Sequence, residues 1–163
     1  MLEIESTLRN RSGETCKIVY READPLEQLD GKILQAVHAL CFSGDKLVLI
    51  YKGENGYWSF PGCGIEPGET YEQAVVREAA EETNMKVLHQ KFIGYQDIYE
   101  PTRTVRQTRS VCKVEPMGEF VRDPDGDVTK IKLIDPNDLK EYLDWGEIGD
   151  HLLERALAFI ATR

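Results

Sequence analysis

Long apolar runs are missing from this chain of 163 residues, and none approaches the roughly 18 residues of a membrane span. The opening MLEIESTLRN has neither a basic start nor an apolar stretch behind it, so no secretory leader is expected. Cysteine is sparse. Cys16, Cys41, Cys63 and Cys112 form no CxxC pair, and the expectation is four reduced thiols in a cytoplasmic protein. Basic charge is short as well: 20 Lys and Arg stand against 29 Asp and Glu, a formal net charge of −9. A polyanion needs a basic face, so neither nucleic acid nor an anionic membrane is an expected partner. A small phosphorylated ligand is compatible with this balance, because metal ions bridge carboxylates to phosphate. The three histidines, His38, His89 and His151, are scattered and read as structural.

What is present is enough for one domain over 1–163, with 41% hydrophobic and 30% charged residues. Residues 2–8 and 15–21 alternate as two strands around NRSGE, an N-terminal hairpin over about 1–21. READPLEQLDG (21–31) is polar and punctuated, a loop. KILQAVHALCF (32–42) and KLVLIY (46–51) flank SGD as a hairpin of buried strands. Thr70 and Gln73 have capping-box spacing, and nothing from Tyr71 to Thr83 breaks a helix. Tyr71, Ala74, Val75 and Ala79 form its apolar side, and Asn84 suits a left-handed end. Further strands are predicted at 86–98, 104–115 and 129–134, a helix start at DPND (135–138), and a last helix at about 147–161. Strands mixed with two substantial helices predict an α/β sandwich built on a mixed sheet.

The stretch PGCGIEPGETYEQAVVREAAEETNM (61–85) is the most informative. At about 100° per residue, Glu78, Glu81 and Glu82 share one arc of the helix. Like charges at these spacings each destabilise a helix by roughly 0.2–0.5 kcal/mol. A solvated acidic face is one reading, with Arg77 to Glu81 and Glu82 to Lys86 offsetting part of the repulsion. The loop before the helix favours another. Its glycines let backbone approach a ligand, and three carboxylates beside free carbonyls suit Mg²⁺ or Mn²⁺.

The segment closely resembles the Nudix box, G-x5-E-x7-R-E-U-x-E-E-x-G-U, where U is a bulky aliphatic residue. Over residues 63–85, Glu69 falls on the loop Glu, Arg77 and Glu78 on the R-E pair, and Glu81 and Glu82 on the E-E pair. Cys63 stands at the first box Gly, Asn84 at the last, and Ala79 at the first aliphatic position. The resemblance to the Nudix (MutT-like) hydrolases implies an α/β/α sandwich around a mixed sheet. It also implies that Glu78, Glu81, Glu82 and the carbonyl of Gly62 hold Mg²⁺ or Mn²⁺. Arg77 and Glu69 would form a structural pair, with Glu81 and Glu82 in catalysis. The implied reaction is attack of water on a phosphorus of a nucleoside diphosphate linked to another group. A domain that binds a nucleotide as a sensor is the alternative, and a homodimer is left open.

The general base stays open among Glu81, Glu82, Glu100, Glu119, Asp123, Asp125 and Asp127. Tyr57, Trp58 and Phe60 are candidates for stacking a base, with core packing as the other reading. Arg103, Arg106 and Arg109 form a basic run that either meets distal phosphates or faces solvent.

Overall fold

The computed structural model describes residues 2–10, 12–124 and 126–162. Strands β1 (Glu3–Arg9) and β2 (Thr15–Arg21) pair antiparallel, and β2 continues onto β6 (Met85–Tyr99). Next to β6 runs β7 (Thr104–Pro116), then β3 (Lys32–Ser43), β4 (Lys46–Lys52) and β5 (Tyr57–Ser59), with β8 (Val128–Ile134) also on β4. The sheet is mixed: β3 and β7 are parallel, and the other pairs are antiparallel. β3 and β7 are central, and their inner residues are buried on both sides.

Pleating divides β3 between two cores. Val37, Ala39 and Cys41 point to the side of α1 (Tyr71–Thr83), where they meet Ala74, Val75, Met85 and Cys112. Leu40 and Phe42 point to the side of α2 (Gly146–Ala161) and meet Ile148, Leu152 and Ala156. A mixed sheet covered by a helix on each face is the α/β/α sandwich expected from the sequence.

The expected helix signals are in place. Thr70 and Gln73 form the reciprocal capping box, and Asn84 ends α1 in the left-handed region at φ 54°. DPND opens a helix as expected, but a short 3-10 turn (Pro136–Glu141) capped by Asp135. The inner side of α1 carries more than its apolar residues. Beside Ala74, Val75 and Ala79, the carboxylates Glu78 and Glu82 are also buried, 6% and 3% exposed. A simple solvated face is therefore excluded.

Candidate active site on the box helix

β4 pairs with only Cys41–Ser43 of β3, and the loop before α1 runs along the part of β3 that this leaves open. Ala39 N–H donates to Pro61 O, Val37 N–H to Cys63 O, and Ile65 N–H to Gln35 O, at 2.9, 3.0 and 3.0 Å. Gly62 lies so close to this edge that an added Cβ would sit 2.0 Å from Val37 O, and its φ is +153°. Glycine is required at 62. Cys63, one of the three departures from the box pattern, carries no positive φ and is exposed, so a side chain there leaves the loop path intact.

The Gly62 N–H donates to Glu82 Oε1 at 2.6 Å, tying loop to helix. Lys52, at the end of β4, completes the corner: its Nζ is 3.1 Å from Gly62 O and 3.6 Å from Glu82 Oε2. Burial pushes the Glu82 carboxyl up to about 7, although the Lys52 charge and the Gly62 N–H pull it down. Burial also raises Glu78, with Arg77 opposing. Burial works against the Lys52 ammonium, but the charges of Glu82, Cys63, Tyr57 and Glu78 together outweigh it and the pKa is raised.

Arg77 organises the other half. It grips Glu69 with two parallel bonds, Nε to Oε2 at 2.8 Å and Nη2 to Oε1 at 2.9 Å. Its Nη1 reaches Glu78 Oε1 at 2.8 Å and Glu81 Oε2 at 3.2 Å, and Nη2 donates to Gly64 O at 3.0 Å. The bonds to Arg77 hold Glu69 below the usual carboxylate range. The repulsion among the three helix carboxylates is thus relieved by Arg77 for Glu78 and Glu81. For Glu82 the cation is Lys52; the expected Lys86 does not pair with it. Lys52 had no motif to mark it, being brought in by the β4–β5 turn.

Downstream acids divide. Asp123 is buried, accepts from Val128 N–H at 3.4 Å, and its charge acts on Glu82. Glu119 and Asp127 are exposed; Glu119 O accepts from Asn84 Nδ2 and Asp127 O from Gly53 N–H. Glu100 pairs with Arg103 at 2.7 Å. Asp125 lies outside the described residues. Among the described residues no three His, Cys, Asp or Glu side chains already converge as a metal cluster.

The basic run requires a correction. Arg106 is fully buried and bonded to Asp97 through two nitrogens and to the carbonyls of Pro25, Glu27 and Gln28. With its guanidinium committed, it cannot meet a substrate phosphate. Arg109 is buried too, at 2% exposed. Arg103 remains at the surface and shares with Tyr57 the wall of a cavity of about 790 Å³. Trp58 is half-buried between the rings of Tyr51 and Tyr142, and Phe60 is core against Trp145. Packing, rather than an open stacking face, accounts for both.

Comparison with known proteins gives one consistent answer. The YtkD protein of Bacillus subtilis, provisionally named as an 8-oxo-dGTP diphosphatase, is 40% identical over 58 residues, 36% of each chain. The chain spans about a third of the length of the curated relatives it matches. The Bacillus subtilis pyrophosphohydrolase BsRppH superposes with a TM-score of 0.71 at 17% identity, covering 94% of this chain and 96% of that one. The NUDIX domain of Shewanella oneidensis NrtR, solved with ADP ribose, gives 0.62 at 18% identity over 79% and 89% of the two chains. These last two likenesses speak for the fold. The NUDIX domain profile matches residues 32–155, most of the chain and all of the box. The chain belongs to the Nudix family.

Proposed function

We propose that the chain is a Mg²⁺- or Mn²⁺-dependent hydrolase that cleaves the diphosphate bond of a nucleoside diphosphate derivative by attack of water on phosphorus. One observation carries this reading: two carboxylates, Glu78 and Glu82, are buried on one face of α1, with Glu82 held by the backbone N–H of Gly62. Burying such charge without a strong cation is costly, and here burial raises both carboxyls despite Arg77 and Lys52. The donor set, carboxylates and a carbonyl, is the hard oxygen chemistry that divalent Mg²⁺ and Mn²⁺ favour. The residues fit such an ion, which Glu78, Glu81, Glu82 and Gly62 O would hold.

A bound divalent ion lowers the pKa of water and offsets charge on phosphate oxygens. The protein's own part is positional. Gly62 N–H fixes Glu82, and Arg77 holds Glu69 and so the loop against the helix. Glu81, whose side chain is 30% exposed against 8% for that of Glu78 and 4% for that of Glu82, is the helix carboxylate of the box motif most open to a water proton. Catalysis is assigned to Glu81 and Glu82, with Asp123 the downstream acid placed to support them. Tyr57 and Arg103 are the surface residues offered to the substrate.

The names of related proteins favour a nucleotide substrate: 8-oxo-dGTP for the curated relative and ADP ribose for the NrtR domain. The four free thiols fit work in the cytoplasm. Retention of every charged box residue favours turnover over a binding-only sensor. The test is a panel of nucleoside triphosphates, dinucleotides and sugar nucleotides, with released phosphate and monophosphate measured with and without Mg²⁺. Metal-dependent release from at least one is expected. Binding without release from any would favour the sensor.

A further inference from the structure

A second cavity, of about 380 Å³, lies on the sheet face away from α1. Its walls include Ile18, Ile98, Gln96, Gln107, Arg109 and Trp145. β7 explains why Arg109 faces this way. Val105 and Val111 join the core under α2, Cys112 and Val114 join the core under α1, and Arg109 has the parity of the first pair.

Arg109 is an uncommon cavity residue. It has no ion-pair partner among the described residues, although Asp144 lines the same cavity. Its Nη1 donates to His38 Nδ1 at 3.2 Å and to Thr108 O at 3.1 Å, and Nη2 donates to Gln107 Oε1 at 3.2 Å. A guanidinium has five N–H donors in a rigid fork, and Nε is left without a partner. Arg106, three residues before it, has its charge met by Asp97. Burial pulls Arg109 down to about 10, with Tyr20 opposing, and the same burial together with Arg109 keeps His38 neutral as an acceptor. The fold thus holds a desolvated cation against an apolar and amide-lined space, faced by the Trp145 ring at 5.1 Å but by no paired carboxylate among the described residues.

The lining selects among ligands. A phosphate is strongly hydrated and would meet Asp144, Ile18, Ile98 and Trp145 with one guanidinium to hold it. A flat heteroaromatic ring uses all of these: apolar walls and an indole for its body, amides for its polar atoms, and, for two adjacent acceptors, the Nε–H and the one Nη2–H that His38, Thr108 and Gln107 leave free. Guanine presents such a pair, O6 and N7, and an arginine fork matches it. Adenine presents a donor in place of O6. We propose that this cavity is a base pocket for a guanine-type purine, with Arg109 reading the O6/N7 edge against Trp145.

The inference rests on the reading of the chain as a nucleotide hydrolase, and names the base that it takes. The cavity also leads the right way. It shares Leu8, Ile98 and Gln107 with the larger cavity that carries Tyr57 and Arg103. Gln35 lines that larger cavity, accepts from Gln107 Nε2 at 3.0 Å through its side chain, and accepts from Ile65 N–H of the box loop through its carbonyl. The two cavities are therefore neighbours, and the larger one borders the box loop through Gln35.

Nucleosides without metal test the pocket separately from hydrolysis. In a Trp58→Phe background, Trp145 is the remaining tryptophan and reports on the cavity by fluorescence. In EDTA, guanosine and inosine should bind at least about tenfold more tightly than adenosine or 7-deazaguanosine, the scale of one bidentate contact. Arg109→Lys and Arg109→Met should each remove that preference, and millimolar inorganic phosphate should not compete with guanosine. The 7-deaza arm tests the same contact in protein with Arg109 intact, so a poorly folded variant does not decide the matter. Absence of binding by any nucleoside, equal affinity for guanosine and adenosine, or competition by phosphate would overturn the base pocket. If guanosine binds as expected but no nucleotide is hydrolysed, the pocket stands and the hydrolase reading falls. If nucleotides are hydrolysed without base preference, the reverse holds.

Discussion

Two regions of this molecule bury charge, and they do so from different material. On α1, Glu78 and Glu82 come from neighbouring turns of one helix, and Arg77 from the same turn answers Glu78. Across β6 and β7, Asp97 draws Arg106, Arg21 and Lys32 from three separate strands, at 2.8, 3.4 and 3.0 Å. Arg106 further spends its donors on the carbonyls of Pro25, Glu27 and Gln28, so this cluster pins the loop before β3. The first region keeps its charges partly unsatisfied, as a site for a cation requires. The second is closed on itself and has no spare donor to offer. The contrast separates a site from a staple, although both are buried and both are charged.

The largest effect should come from the open region. Glu82→Gln keeps the volume and removes the charge, so turnover with Mg²⁺ should fall by about 100-fold or more while the metal-free protein stays folded. Steady-state kinetics and a thermal melt on one preparation check both halves. Near-normal turnover would break the assignment of Glu82.

The closed region should respond the other way. Arg106→Met leaves Asp97 buried with weaker partners and three carbonyls unpaired, and should cost roughly 3–5 kcal/mol in urea unfolding. A loss under about 1 kcal/mol would mean that the cluster does not act as a staple.

Arg77→Ala falls between these two. Arg77 is 20% exposed and Glu69 13%, so the loss should lie between the roughly 0–1 kcal/mol of surface pairs and the 3–5 kcal/mol of buried ones. Activity should fall with it, because the loop at Gly62 and Gly64 loosens. An unchanged melting point would remove the structural role of Arg77.

The smallest effect is a pH dependence. The folded-state pKa of Glu82 is raised to about 7 from 4.5, so its contribution to stability is full below pH 4.5 and is lost as pH rises through about 7. Glu78 is displaced in the same direction. The metal-free protein should therefore melt lower at pH 8 than at pH 5 by more than Glu82→Gln does. Saturating Mg²⁺ should reduce the difference in the wild type. Parallel melting curves for the two proteins across this range would show that burial of Glu82 carries no such cost.

The helix and its cap could be read from spacing, because a capping box and a 3.6-residue period are local properties of a chain. So could the shared face of Glu78, Glu81 and Glu82, which follows from helix geometry alone. The depth of that face could not. Glu78 and Glu82 are buried because the loop at 61–65 zips onto β3, a contact between segments far apart in the chain. Lys52 reaches Glu82 by the same route, and no sequence pattern announced it.

The basic run shows the limit most clearly. Arg103, Arg106 and Arg109 recur every third residue, yet they have three fates: surface, satisfied core and cavity wall. Arg103 lies in the turn before β7, while Arg106 and Arg109 are both on β7, where pleating of period two turns them to opposite faces. The sequence by itself determined the box, the helix that bears it and the hard-oxygen chemistry of its carboxylates, because these depend on residue type and on spacing along one element. Tertiary structure alone decided which charges were answered, since Asp97 meets Arg106 only across paired strands and Arg109 lies against Trp145 and His38 with no carboxylate paired to it among the described residues.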